Sequence, residues 1–95
     1  MYAVVAIHHP ASERFDDALR ALQKILDSIQ GSPGLQGGYV GQDAARSQAM
    51  AVTLWEAKEQ FQAVFPRIQA GVNACGIHQW AVQPARALKF RLEAD

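Results

Sequence analysis

The chain has 95 residues, 49% of them hydrophobic and 19% charged, a length and balance that predict one packed domain over residues 1–95 and exclude a disordered chain. Nine basic residues match nine acidic ones, so no net field attracts nucleic acid or an anionic membrane surface, and neither is an expected partner. The single cysteine, Cys75, excludes an internal disulfide, and without an apolar run of about 20 residues to span a bilayer we expect a cytoplasmic protein.

The first two elements have clear signals. Residues 2–9 are short and rich in β-branched side chains, which predicts a strand. Apolar residues then recur at three- and four-residue spacing, and this predicts a helix over 12–30. Ser12 is the expected N-cap of that helix, and Gly31 is expected to end it. The apolar positions of the helix are Phe15, Ala18, Leu19, Leu22, Ile25, Leu26 and Ile29.

Two strands and a turn are predicted next. Residues 35–43 contain three glycines, and glycine inside a strand marks a bulge or a close approach, so a bent second strand is expected. Residues 43–46 form the predicted hairpin turn. Residues 49–55 are apolar at nearly every position, which predicts a third strand that is covered on both faces.

A second helix begins at Lys58, and its apolar residues keep helical spacing. Pro66 removes a backbone donor and clashes with the preceding turn, so the helix is expected to kink or restart there. Residues 79–92 predict the last strand, with a bulge or break at Pro84. The apolar positions of the second helix are Phe61, Val64, Phe65 and Ile68.

This order of elements predicts an α+β domain of the ferredoxin-like βαββαβ type, with a four-stranded antiparallel sheet and two helices on one face. A sheet with one solvated face shows alternating apolar and polar residues, yet the first and third strands contain little polarity. The other face therefore needs a cover. A second copy of the same sheet supplies it most simply, so we expect a homodimer, with which an internal apolar cavity is compatible.

A family resemblance rests on the segments Leu35-Gln36-Gly37-Gly38-Tyr39 and Leu54-Trp55-Glu56-Ala57-Lys58-Glu59-Gln60-Phe61. The chain resembles, over nearly its whole length, the antibiotic biosynthesis monooxygenase superfamily of dimeric α+β barrels, in which a strand that ends in Trp-Glu leads into the second helix. Ala57 replaces the family's usual serine and so lacks its helix-capping hydroxyl.

The resemblance implies several possible activities. The superfamily includes cofactor-independent oxygenases of aromatic polyketides or quinols, haem-degrading enzymes and many proteins of unassigned role, so the fold does not name the reaction. Haem-degrading members use an asparagine on the first strand, a tryptophan in the second helix and a histidine beyond it. Here the first strand has no asparagine, Val64 takes the tryptophan position and His78 is only a loose match, so haem degradation is not expected.

The candidate catalytic residues are histidines. His8 and His9 end the first strand and point to opposite faces, which makes joint binding of one metal awkward but lets one of them enter a pocket as a proton shuttle. The alternative is an ordinary strand-end histidine. His78 lies three residues after Cys75 and could activate its thiol. Packing of Cys75 is the alternative, because no acidic residue between residues 60 and 92 orients that histidine.

An aromatic set could form the wall of a site for a flat ligand, with plain core packing as the alternative. Its members are Tyr39, Trp55, Phe61, Phe65 and Trp80. The basic residues Arg86, Lys89 and Arg91 predict a solvated strand edge, with an anionic ligand as the alternative.

Two functions remain open from the sequence. The first is a cofactor-independent monooxygenase that uses dioxygen to oxidise a small aromatic quinol or phenol, with no bound cofactor or metal. The second is a non-catalytic dimeric module that binds a small apolar ligand or a protein partner. They differ in whether a titratable group faces the cavity.

Overall fold

The computed structural model describes residues 1–93, so the last two residues of the predicted domain lie outside it. Within that range every predicted strand and helix is present. The elements are β1 (Tyr2–Pro10), α1 (Phe15–Ser28), β2 (Leu35–Asp43), β3 (Gln48–Trp55), α2 (Lys58–Cys75) and β4 (Ala81–Arg91), with short 3₁₀ turns at Ser12–Arg14 and Ala44–Arg46. No helix in residues 1–93 combines the length and apolar character that crossing a bilayer requires.

The four strands form one antiparallel sheet in the order β2-β3-β1-β4. The two crossovers place α1 and α2 against the same face of that sheet, where they pack on each other and on β3. This arrangement confirms the predicted ferredoxin-like α+β fold. The central pair, β1 and β3, is joined from Tyr2 opposite Trp55 to His8 opposite Ala49.

The start of α1 differs from the expectation. Ser12 lies in a 3₁₀ turn whose last amide, that of Arg14, donates to the carbonyl of Ala11 at 2.9 Å. The α-helix therefore begins only at Phe15, with Arg14 at the cap and no side chain bonded there. The prediction of Ser12 as N-cap was wrong because the tighter i→i+3 turn satisfies the first amides with backbone carbonyls. Gly31 follows the helix with a positive φ of 81°.

The second helix runs without interruption from Lys58 to Cys75 and includes Pro66, so of the expected kink or restart the restart does not occur. Proline removes one hydrogen bond, while apolar residues before and after it hold both halves on the core. Phe61 belongs to that core and Ile68 packs against it. At the start of the helix, where Ala57 cannot cap, the Gln60 side chain accepts a hydrogen bond from the Ala57 amide at 2.9 Å.

The predicted irregularity at Pro84 is confirmed. Ile7 pairs with Arg86, but the next pair on β1 and β4 is His9 with Gln83, so β4 contains one more residue than β1 between the two pairs. Proline has no amide to donate to a ladder and is accommodated at such a bulge. Another register shift lies between Leu35 and Gly37 of β2, as the glycine content of that strand predicts.

The core between helices and sheet has two parts. The first is built around Trp55, which is fully buried, and the second around Ala18 and Ala49, which are fully buried as well. The first also contains Val4, Leu26, Ile29, Phe61 and Val64, and the second Leu22 and Ile77. On the opposite, helix-free face the strands carry apolar side chains that are half-buried or exposed, including Val5, Ile7, Val52, Leu54 and Leu88.

Candidate functional site

An apolar cavity of about 230 Å³ lies between the sheet and the two helices. Alternate residues of β1 face it, because successive side chains of a strand point to opposite sides of the sheet. Val4, Ala6 and His8 supply this wall, and β3 adds Ala51 and Thr53. The helices close it with Leu22, Ile25, Leu26 and Ile29 of α1 and with Phe61, Phe65, Ile68, Gln69 and Val72 of α2.

The cavity exists because a row of small residues crosses the sheet. Ala6 of β1 is paired with Ala51 of β3 on one side and with Ala87 of β4 on the other. All three alanines line the cavity. A methyl group is short, and the larger side chains of Val4 and His8 line the cavity before and after Ala6 on the same face of β1. The alanine row is therefore the floor of the cavity.

His8 stands at one end of this cavity and is 5% exposed. Burial lowers the pKa of its imidazole below the usual 6.5, because the charged form loses hydration. The neighbouring imidazoles of His78 and His9 lower the same pKa further. His8 is consequently neutral at neutral pH, and one of its ring nitrogens is free to accept a proton.

His78 reaches the same cavity from the turn that follows α2. Gly76 ends that helix with a φ of 83°, and the amide of Gln79 donates back to the Gly76 carbonyl at 2.9 Å. This left-handed residue turns the chain toward the sheet. The ring centroids of His8 and His78 are 6.2 Å apart. Because His78 is exposed and His8 is buried, the pair connects the cavity with solvent.

An aromatic pair and a cation form the other end of the cavity. The rings of Phe61 and Phe65 are 5.5 Å apart, and Phe65 is 42% exposed. The ammonium group of Lys89 lies 5.6 Å from the Phe61 ring centroid and 6.0 Å from that of Phe65. At these distances the ring faces attract the cation. Lys89 therefore stands at the mouth of a mostly apolar chamber.

Four of the eight residues proposed from the sequence thus line one cavity, namely His8, His78, Phe61 and Phe65. The other four lie outside its lining. Trp55 is fully buried behind Phe61, with ring centroids 5.9 Å apart. His9 is 9% exposed, and Tyr39 is 59% exposed on the helix-free face, opposite Val52.

Trp80 also lies outside the cavity lining, and the Arg14 guanidinium lies over its ring, 5.5 Å from the centroid. Cys75 packs beside the second core cluster, and its thiol donates to the Val72 carbonyl at 3.3 Å. Of Cys75 and His78, only His78 lines the cavity. Residues 1–93 contain no group of three side chains suited to hold a metal ion.

Sequence reasoning missed two polar features of the cavity. Thr53 is 5% exposed, and its hydroxyl oxygen accepts a hydrogen bond from the Trp55 indole at 2.9 Å, which leaves the hydroxyl proton for a ligand. Lys89 was assigned to a basic strand edge, with an anionic ligand as the alternative, and was not placed at the cavity. The signal that would have found both is register, because Val4 pairs with Thr53 on one side and with Lys89 on the other.

The comparisons with known proteins bear on the fold. No protein-family model and no curated protein matches the chain, but solved structures match over almost all of it. One match is a protein from Deinococcus radiodurans that carries the name antibiotic biosynthesis monooxygenase. It superposes with a TM-score of 0.84 at 11% sequence identity, and the match covers 100% of this chain and 95% of that one. The chain has the antibiotic biosynthesis monooxygenase fold.

Two further structures with the monooxygenase fold are named for an activity of their own. ActVA-Orf6, a monooxygenase of Streptomyces coelicolor solved with nanaomycin D, has a TM-score of 0.78 at 14% identity, and the match covers 99% of this chain and 88% of that one. SnoaB, a cofactor-independent oxygenase of Streptomyces nogalater, has a TM-score of 0.74 at 11% identity, with coverage of 99% and 94%. The expected resemblance is thus confirmed for the fold.

Proposed function

We propose that this protein is a cofactor-independent monooxygenase that acts on a small phenol or quinol. The observation that carries the proposal is a neutral, buried histidine, His8, that faces an apolar cavity beside a second, exposed histidine, His78. The monooxygenase fold and the activities named for ActVA-Orf6 and SnoaB support it. A non-catalytic binding module would need no titratable group in the cavity, so His8 favours the enzyme.

The reaction begins with binding and desolvation. The apolar walls hold a flat ring and exclude water, and the neutral imidazole of His8 accepts the phenolic proton. The phenolate that results is electron-rich enough to reduce dioxygen, and a C–O bond forms at a ring carbon ortho or para to the oxygen. Loss of water from the hydroperoxide breaks the O–O bond and leaves a quinone.

The reaction balances without any reductant or oxidant other than the phenol and dioxygen. The phenol loses two hydrogen atoms and gains one oxygen, a four-electron oxidation, and dioxygen accepts four electrons while its second atom leaves as water. The proton taken up by His8 passes to solvent through His78, whose ring is 6.2 Å away and exposed. The residues therefore supply a base, a proton exit and a dry chamber.

The cavity volume limits the substrate. Pockets for drug-sized ligands measure roughly 300–1,000 Å³, and this cavity is smaller, at about 230 Å³. A substrate of one or two aromatic rings suits it. The proposed ligand contacts are Phe61 and Phe65, with the hydroxyl of Thr53 as a hydrogen-bond donor.

We also propose that the working enzyme is a homodimer. Val5 and Val52 face each other on the central strands of the helix-free side, and Leu88 of β4 extends the apolar surface. Tyr39 and Phe90 are exposed there, at 59% and 47%. Burial of this continuous apolar face against a second copy would stabilise the pair through the hydrophobic effect.

The direct test is incorporation of ¹⁸O₂. The protein is incubated with a panel of naphthols and hydroquinones under labelled dioxygen, and the products are analysed by mass spectrometry against heat-inactivated protein. We expect quinone with one labelled oxygen from wild-type protein. His8→Gln should lower the rate by about 10²–10⁴-fold, the usual worth of a general base.

His9→Gln is the matched control, since His9 neighbours His8 on β1 but does not line the cavity. It should retain the activity. The proposal fails if no member of the panel gives labelled product above the heat-inactivated control, or if the two histidine variants lose activity equally.

A further inference from the structure

We propose that the substrate is an aromatic acid, with a carboxylate at the end of the molecule remote from its phenol, and that Lys89 binds this carboxylate at the cavity mouth. The assignment of a phenol to one end of this substrate rests on the oxidation proposed above. The anion site rests on separate observations.

The charge of the cavity lining is the first observation. Lys89 and Arg86 are among its lining residues, and no carboxylate of residues 1–93 is. Arg86 pairs with Ile7 of the helix-free face, whereas Lys89 pairs with Val4, which faces the cavity, so Lys89 is the cation that the cavity meets. A cavity with a cation at its rim and low-dielectric walls attracts an anion and repels a cation. The overall charge of zero hides this local asymmetry.

The second observation is that Lys89 is held in place yet has no ionic partner within residues 1–93. Its ammonium group rests between the Phe61 and Phe65 rings, at 5.6 and 6.0 Å from their centroids. Arg91, two residues later on the same strand, is instead engaged by Glu93 at 2.9 Å. The cation at the cavity therefore keeps its hydrogen-bond donors for a ligand.

The spacing along β1 sets the length of that ligand. Lys89 is paired with Val4, and His8 is four residues further along the same strand. At about 3.3 Å per residue the two positions are about 13 Å apart along the sheet. Both side chains lie against the intervening cavity, so a bicyclic acid such as 6-hydroxy-2-naphthoate, with its hydroxyl and carboxylate at opposite ends, can reach from one to the other.

The experiment compares 6-hydroxy-2-naphthoate with 2-naphthol, which has the same rings and hydroxyl but no carboxylate. Binding is measured by isothermal titration calorimetry at pH 8 without oxygen, so that affinity is recorded independently of turnover. We expect the acid to bind wild-type protein about fivefold or more tightly than the naphthol, the worth of about 1 kcal/mol for a partly exposed ion pair.

Substitutions identify the cation responsible. Lys89→Met keeps the aliphatic contact with the phenyl rings and should abolish the preference for the acid, while Lys89→Arg should restore it. Arg91→Met is the matched control and should bind like wild type. High salt should weaken the binding of the acid and leave the binding of the naphthol unchanged.

Three results would overturn the proposal: equal affinity of wild-type protein for both probes, failure to bind either, or an unchanged preference in Lys89→Met. A separate aerobic incubation decides the oxidation. Binding of the acid through Lys89 without its oxidation would refute the proposed reaction and leave the anion site intact.

Discussion

Filling the cavity should stabilise the protein and inactivate it. Ala6 is the middle residue of the alanine row, and the side chain of a leucine there would extend into the empty space above the neighbouring methyl groups of Ala51 and Ala87. Ala6→Leu adds three carbon atoms. At about 0.8 kcal/mol for each buried carbon the gain is about 2.4 kcal/mol, from which the lost side-chain freedom of leucine removes about 0.5–1 kcal/mol.

The net increase in the free energy of unfolding is thus about 1.5 kcal/mol, which corresponds to a rise in Tm of about 6–12 °C for a domain of this size. Urea unfolding at fixed protein concentration measures it, and oxygen uptake with the best phenol of the panel measures the activity, which should be lost. Destabilisation by more than about 1 kcal/mol, or retained activity, would refute the existence of the cavity.

The matched control is the same substitution on the same face of the sheet. Ala49 is fully buried in the second core cluster and does not line the cavity. Ala49→Leu overfills a packed site and should cost about 1–3 kcal/mol. If leucine stabilises the protein at position 6 and destabilises it at position 49, the gain at position 6 comes from the cavity and not from a general tolerance of leucine in the core.

Three further predictions follow from the core, the buried histidine and the helix-free face. Trp55→Phe removes the indole hydrogen bond to Thr53 and part of the packing and should lower the free energy of unfolding by about 1–3 kcal/mol in urea titrations, with an unchanged value counting against the assigned bond. The pKa of His8 is lowered in the folded state by burial and by His78 and His9, so on acidification the unfolded chain takes up a proton before the folded protein does. The free energy of unfolding should therefore be highest above about pH 6.5 and fall as the pH drops through that value. His8→Gln should flatten this decrease in unfolding curves measured at a series of pH values. Val52→Lys places a charge at the centre of the apolar face and should convert a dimer into a monomer in analytical ultracentrifugation, whereas a wild-type monomer at micromolar concentration would refute the dimer.

The sequence predicts the order of elements well because period and composition are local properties. The spacing of Leu22, Ile25 and Leu26 is visible in the chain, and all three are buried in α1. At Pro66 the sequence left a kink and a restart open, because the penalty of a proline is local, whereas the anchoring of α2 on either side of it depends on tertiary contacts. Helix propensity alone cannot show whether the tertiary contacts outweigh the penalty of the proline.

The site is predicted less completely because it depends on register. His8 and His78 are distant in sequence, and only the fold brings their rings to 6.2 Å. Tyr39 was proposed for its aromatic ring, but strand alternation places it on the helix-free face. The alanine row is equally invisible, because its members come from three strands whose pairing the sequence does not state.

The most direct test of the central claim is a titration of ¹³C-labelled histidine by NMR with 2-naphthol under nitrogen. We expect saturable shifts of the ring signals of His8 and His78 with a single dissociation constant, and no comparable shift for His9. Unchanged His8 and His78 signals at saturating naphthol, or a response confined to His9, would contradict a phenol-binding cavity at this place.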